Sequence, residues 1–121
     1  MYPPLFKAAA ASDQVKALLG SDPVRVYPFG DAAEGTPLPY AVWQVISGNP
    51  ENFLAGRPDI DRFGTQVDVY AGTAAAARAA AQALLAAFET VAYVTAYNGE
   101  SRDPDTQNYR YSFDVEWLTR R

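Results

Sequence analysis

Carboxylates are the main side chains of this chain that could bind a metal or transfer a proton, because the sequence has no cysteine and no histidine. This composition removes thiol nucleophiles, imidazole bases, the common zinc ligands and the usual catalytic triads. One acidic segment, Ser-Arg-Asp-Pro-Asp-Thr-Gln-Asn at 101–108, offers oxygen atoms at alternate positions, as a cation loop would. It lacks the central glycine and the terminal bidentate glutamate of an EF-hand loop, so the pattern favours a solvated turn.

A second acidic group consists of Asp59 and Asp61, which lie beside Arg57 and Arg62. Glycosidases use two carboxylates that lie on opposite sides of the scissile bond. Nothing in the sequence places another acid opposite Asp59 and Asp61. Structural ion pairs often imitate such sites, so a solvated or interfacial charge cluster is the favoured interpretation. An enzyme acting through Asp59, Asp61 or Asp103 would also lack a nucleophile and base arrangement. The sequence therefore predicts a protein without enzymatic activity, metal or cofactor.

Two helices are predicted from apolar residues that recur at helical spacing. The first begins after Pro3-Pro4 and ends at Gly20, with a stripe formed by Leu5, Ala8, Ala11, Val15, Leu18 and Leu19. The second opens at Gly72-Thr73, where Thr73 is the expected N-cap, and its buried stripe consists of Ala77, Ala81, Leu84, Leu85 and Phe88. The alanines make the second helix thin enough to lie close to a sheet.

Five strands are predicted from alternation of apolar and polar residues. They cover residues 24–28, 40–47, 61–70, 91–97 and 109–118. Pro28 removes a backbone donor, so the first strand belongs at an edge of the sheet. Helices and strands in this order predict an α+β fold, a two-layer sandwich in which two helices cover one face of a mainly antiparallel sheet. We expect a single domain over residues 1–121.

The strand at 109–118 has the strongest alternation in the chain. Its odd positions, Tyr109 to Trp117, form an aromatic stripe that could pack in the core or stack bases on an exposed sheet. Helix cover and the lack of interleaved basic residues favour the core. On the opposite side lie Asp114 and Glu116, with Asp68 on the polar side of its own strand. These acids form either a solvated face or a negative wall lining a pore, and composition alone does not distinguish these two possibilities.

The connection between the strands at 40–47 and 61–70 is far longer than a hairpin requires, since hairpin loops usually have about 2–5 residues. It carries apolar Phe53 and Leu54 at its expected tip. Such a loop either docks onto another surface or folds back over its own sheet. The interface candidates in this segment are Asn49, Pro50, Glu51, Asn52, Phe53, Leu54, Arg57, Asp59 and Ile60.

Net charge restricts the possible partners, and the search for targeting segments bears on the location of the protein. The net charge is −4 and the ten basic residues are scattered, whereas nucleic-acid binding needs clustered Lys and Arg. No segment combines the features of a secretion signal or a membrane span, so a cytoplasmic protein is expected.

Four segments resemble the tail completion proteins of long-tailed bacteriophages and prophages, which are also called tail terminators or tail-to-head joining proteins. The segments are Leu38-Pro-Tyr-Ala-Val-Trp43, Gly48-Asn-Pro-Glu-Asn52, residues 61–70 (Asp-Arg-Phe-Gly-Thr-Gln-Val-Asp-Val-Tyr) and residues 109–117 (Tyr-Arg-Tyr-Ser-Phe-Asp-Val-Glu-Trp). The likeness covers essentially the whole chain, and its motifs are structural rather than catalytic.

This resemblance implies a virion protein that is assembled in the host cytoplasm and forms a hexameric ring on the head-proximal end of the tail tube. Its partners would be copies of itself, the tail tube protein and the head-tail connector or stopper protein, with DNA passing through unbound and no membrane involved. The family's strand-to-strand extension, which contacts neighbours or the tube, corresponds here to Asn49–Ile60. A small cytoplasmic adaptor or ligand-binding domain, monomeric or dimeric with an apolar pocket, is the alternative.

Overall fold

The computed structural model describes residues 3–21, 23–32, 35–51 and 60–120, and for residues 50 and 51 it describes the backbone. The elements are α1 (Leu5–Ala10), α2 (Asp13–Leu19), β1 (Val26–Pro28), β2 (Tyr40–Glu51), β3 (Ile60–Ala71), α3 (Ala74–Glu89), β4 (Tyr93–Arg102) and β5 (Tyr109–Arg120). They confirm the predicted α+β fold. None of the helices in this part of the chain is long and apolar enough to cross a membrane.

The five strands form one sheet in the order β1-β2-β3-β5-β4. β1 runs parallel to β2, and every other neighbouring pair is antiparallel. β1 lies at one edge, as the missing donor of Pro28 predicted, and β4 lies at the other edge. A bulge between Val45 and Ser47 lies opposite Gly64, where a Cβ atom would collide with the Ser47 hydroxyl.

The hydrophobic core lies between the helices and one face of the sheet. On β5 the side chains of Phe113, Val115 and Trp117 are buried, and Phe88 of α3 meets Trp117 edge to face with ring centroids 5.5 Å apart. The Trp117 indole donates to the Thr65 hydroxyl at 3.1 Å, which in turn donates to the Val115 carbonyl at 2.9 Å. From Tyr111 to Trp117 the aromatic stripe therefore belongs to the core, as predicted, whereas Tyr109 is half-buried and its ring lies against Arg102.

The first helix is broken, which corrects the prediction of one continuous helix. Ser12 has an extended backbone, and its hydroxyl accepts from the backbone N–H of Val15 at 3.2 Å, so it caps a new helix. A serine side chain that bonds to the backbone favours a cap over a helix interior, and this local preference ends α1 at Ala10. Gly20 ends α2 with a positive φ of 84°, as expected of a glycine stop.

α3 follows its prediction closely. The Thr73 hydroxyl accepts from the Ala76 backbone N–H at 3.1 Å, and the predicted apolar stripe is buried. Three helices, rather than two, thus lie in the described part of the chain.

Four strands are longer than predicted, β2 and β4 by the most, whereas β1 is shorter and covers only Val26–Pro28. β2 continues to Glu51 and β3 begins at Ile60, so the segment between them shortens to residues 52–59. β4 continues to Arg102, which leaves residues 103–108 as its connection to β5. The added residues of β2 and β4 are largely polar or exposed. Backbone pairing between strands does not require either face of the strand to be apolar. Alternation in the sequence therefore could not reveal where these strands end.

Candidate functional site

The sheet surface opposite the helices, here called the uncovered face, brings the three acidic wall candidates together. In the register of the sheet, Asp68 lies opposite Ser112, Asp114 opposite Gln66 and Glu116 opposite Gly64. All three carboxylates therefore project from one side of the adjacent strands β3 and β5. This follows from the period-two alternation of both strands, which predicted their shared polar side.

Two of the three acids are paired with arginines on the same face. Arg110 donates to Asp68 at 2.8 Å, and the Asp68 side chain is only 14% exposed. Arg62 lies 3.3 Å from Glu116 in a more exposed pair. The face therefore carries charges of both signs, and its negative potential is weaker than three free carboxylates would produce.

The third acid, Asp114, is held by an amide from the edge strand. Asn98 of β4 donates to Asp114 Oδ1 at 2.8 Å and to the Ser112 hydroxyl at 3.2 Å. Asn98 occupies an irregularity between Tyr97 and Gly99, which turns its side chain toward the uncovered face. An amide donor orients the carboxylate without neutralising it, so Asp114 contributes a negative charge to this surface.

One end of the uncovered face is aromatic. Tyr40 and Tyr70 stack across the strand pair with ring centroids 5.3 Å apart. Burial raises the pKa of both hydroxyls, and the Asp68 carboxylate raises the pKa of Tyr70 further. Both tyrosines therefore remain neutral, and this end of the face adds aromatic area without charge.

The interface candidates near residue 50 lie at the distal ends of β2 and β3, far from the Tyr40–Tyr70 pair. Asn49 pairs with Arg62, Pro50 with Asp61, and Glu51 with Ile60. Ile60 also pairs with Arg120, so β5 supports this end of the sheet. The other candidates, Asn52, Phe53, Leu54, Arg57 and Asp59, lie outside the described residues.

The acidic residues considered for catalysis or cation binding are separated in space. Asp61 lies near the distal start of β3, whereas Asp103 lies beyond the end of β4, at the opposite end of the sheet. Asp103 Oδ1 accepts the backbone N–H of Asp105 at 2.9 Å and that of Thr106 at 3.5 Å, which makes it a turn-forming residue. Among the described residues, no group of three or more His, Cys, Asp or Glu side chains could hold a metal ion.

Sequence reasoning missed the partners of the acids, above all Arg110 and Asn98. Arg110 has the same parity as Ser112 and Asp114, so its placement on the polar side was already visible. Its pairing with Asp68 depends on the register between β3 and β5, which alternation alone does not fix. Asn98 carried no such signal, because it was placed in the connection that the structure shows to be part of β4.

The fold and this surface define a small α+β domain in which one sheet face forms the core and the other presents a network of polar side chains. The chain belongs to the tail completion protein gp17 family, whose family model matches residues 3–120. Members of this family are structural proteins of phage tails, which are not normally enzymes. A comparison with curated protein sequences finds no match.

Two solved structures share the fold. A chain in the virion of a native gene transfer agent particle is 19% identical, with a TM-score of 0.63 over 97% of this chain and 92% of that chain. The gp17 protein of bacteriophage SPP1 is 14% identical, with a TM-score of 0.58 over 95% of this chain and 85% of that one. At these identities, the likeness shows a common architecture and carries no residue roles.

Proposed function

We propose that the protein caps the head-proximal end of a phage or prophage tail tube as a homohexameric ring, ends growth of the tube and joins the tail to the head connector or stopper protein. The observation that carries this proposal is the family match over nearly the whole chain. The likeness to a chain of an assembled virion particle supports it. In this function the protein acts in the virion and is assembled in the host cytoplasm.

The uncovered face is the surface proposed to line the channel of the ring. It carries Asp68, Asp114 and Glu116 on adjacent strands, and Asp114 has no arginine partner among the described residues. Repetition around a ring would bring several copies of this carboxylate together. A surface with a slight negative excess would let DNA pass without holding its phosphates.

The distal ends of β2 and β3, with the segment between them, are the proposed contact with the tube or a neighbouring subunit. β5 pairs with β3 up to Ile60, so the sheet remains intact at this end. A supported strand pair projects the intervening residues from a fixed base, as a docking element requires.

The decisive experiment removes the gene from its phage or prophage and images the tails by electron microscopy. We expect tail tubes of uncontrolled length without attached heads, and we expect the unaltered gene supplied in trans to restore tails of normal length. A variant that cannot fold, such as Trp117→Asp in the core, serves as the negative control. Tails of normal length joined to heads in the absence of the protein would contradict the proposal.

A further inference from the structure

The asparagines of the chain differ in the residue that follows them. Asn49 is followed by proline, Asn52 by phenylalanine, Asn98 by glycine and Asn108 by tyrosine. An asparagine loses its amide when the backbone nitrogen of the next residue attacks the side-chain carbonyl carbon. Proline has no N–H for this attack, and the phenylalanine and tyrosine side chains crowd the nitrogen, whereas glycine has no side chain. The sequence therefore favours this reaction at Asn98-Gly99.

The structure leaves the backbone of this pair accessible. Asn98 and Gly99 are exposed, and they lie on β4, whose outer side has no partner strand among the described residues. Apart from the chain neighbours of Gly99, no atom lies within 4 Å of the position that a Cβ atom of this glycine would occupy. The pairing of β4 with β5 is interrupted between Tyr97 and Gly99. Water therefore reaches Asn98, and its backbone is less constrained than in a regular strand pair.

Two hydrogen bonds hold the Asn98 side chain against β5. Its Nδ2 atom donates to Asp114 Oδ1 at 2.8 Å and to the Ser112 hydroxyl at 3.2 Å. Attack by the Gly99 nitrogen requires the side chain to turn toward its own backbone, and both bonds oppose this rotation. The bond to the carboxylate is the stronger one, because its acceptor is charged. Asp114 therefore slows the loss of the amide.

We propose that Asn98 is a site of spontaneous deamidation in the folded protein, at a rate set by its bonds to Asp114 and Ser112. The Gly99 nitrogen bonds to Asn98 Cγ while the Cγ–Nδ2 bond breaks, and the Gly99 amide proton leaves with Nδ2 as ammonia. Water then adds to either carbonyl carbon of the cyclic imide and opens the ring. The product is aspartate or isoaspartate, with a carboxylate in place of the neutral amide. The reaction requires neither a ring of subunits nor a partner.

The modification changes the uncovered face beside Asp114. A carboxylate at residue 98 cannot donate to Asp114, and two negative charges at this distance repel each other. The isoaspartate product also adds a carbon to the backbone of β4, just before the pairs Gly99–Ser112 and Glu100–Tyr111. The end of β4 should therefore loosen, and the uncovered face gains a negative charge.

Peptide mapping by mass spectrometry tests the proposal on the purified protein, incubated at mildly alkaline pH. We expect Asn98 to be modified in the native protein, more slowly than in the same chain unfolded in urea. Asn49 and Asn108 are internal controls and should remain unmodified over the same time. A native protein that keeps its Asn98 amide while the unfolded chain is converted would overturn the proposal. None of these measurements depends on assembly, so that result would leave the proposed ring standing.

Substitution of the acceptor measures the restraint. Asp114→Ala should raise the native rate about tenfold, since a hydrogen bond to a charged group contributes on this scale. Asp114→Asn keeps the shape of the side chain and removes its charge, so it replaces the alanine variant if circular dichroism shows that variant to be unfolded. Glu116→Gln changes the next acid on β5, which pairs with Arg62 instead of Asn98, and should leave the rate unchanged. Equal rates in all folded variants would overturn the restraint by Asp114.

Asn98→Asp reproduces the aspartate product and tests its effect on the fold. The Tm should fall relative to wild type, and amide hydrogen exchange should become faster in residues 99–102, which pair with β5. Asn108→Asp adds the same charge directly before β5, away from Asp114, and should lower the Tm less. Equal Tm values and exchange rates in both variants would overturn the predicted loosening of β4.

Discussion

The two faces of β5 differ in what holds their side chains. On the core-facing side, Phe113, Val115 and Trp117 are buried against α3 and its neighbours. On the uncovered side, Asp114 and Glu116 are half-buried and bonded to Asn98 and Arg62. Alternate residues of one strand therefore contribute either to apolar burial or to a polar surface.

This difference separates stability from assembly. Apolar burial contributes most of the favourable free energy of folding, whereas partly exposed ion pairs contribute little. The helix-packed face is therefore expected to control whether the chain folds. The uncovered face and the strand edges are expected to control what the folded chain contacts. Substitutions on the two sides should show this contrast in different assays.

The largest effect on folding is expected from Trp117→Ala, which removes a buried ring and its bond to Thr65. The free energy of unfolding should fall by about 3–5 kcal/mol in chemical denaturation, and Phe113→Ala should behave similarly. Leu118→Ala, on the uncovered side of the same strand and 49% exposed, is the control and should change stability by about 0.5 kcal/mol or less. Small losses in the two core variants would contradict the assignment of this stripe to the core.

The largest effect on assembly is expected from replacing residues 52–59 with an Asn-Gly turn. Glu51 and Ile60 are already paired, so a two-residue turn can close the hairpin there. Loop length has a small effect on closure entropy, about 0.6 kcal/mol for each doubling, so the variant should fold normally. It should fail to bind tail tubes, as judged by co-sedimentation. Normal binding by a folded variant would exclude a docking role for this segment.

A smaller effect is expected when the charge of the uncovered face is reversed. Asp114→Lys/Glu116→Lys leaves the partly buried Asp68–Arg110 pair intact. If the face lines the channel, DNA ejection should slow, and the defect should shrink as salt rises, since screening acts beyond about 10 Å at 0.1 M. The control Glu89→Lys/Asp105→Lys makes the same charge change at exposed positions elsewhere. Identical ejection by both assembled variants would place these acids outside the channel.

The smallest effect is expected from Glu100→Gln, in which β4 loses its ion pair to α3. Arg78 donates to both Glu100 oxygens, at 2.5 and 2.9 Å, and this hydrogen bonding holds the pKa of Glu100 below its usual value. A lowered folded-state pKa stabilises the protein above the unfolded-state pKa, and this stabilisation is lost as pH falls through the folded-state pKa. The difference in Tm between wild type and variant should therefore be larger at pH 7 than at pH 3. A difference independent of pH would mean that the ionised pair does not contribute.

Local signals in the sequence were sufficient for some features. The Thr73 cap and the apolar stripe of α3 depend on residues within a few turns of one another, and the structure confirms them. The two sides of β3 and β5 follow from a strict period of two, which a strand imposes whatever its neighbours are. The position of β1 at an edge followed from the missing donor of Pro28.

Other features depended on which strands become neighbours and in what register. The Asp68–Arg110 pair joins residues far apart in the chain, and the full lengths of β2 and β4 depend on backbone bonds to β3 and β5. The parallel pairing of β1 with only the first part of β2 leaves the rest of that edge without a partner strand among the described residues. The sequence by itself determined which side each strand residue faces, because side-chain direction is a local property of the backbone. The tertiary structure decided which charges meet and which strands lie at the edges of the sheet, because both depend on long-range pairing.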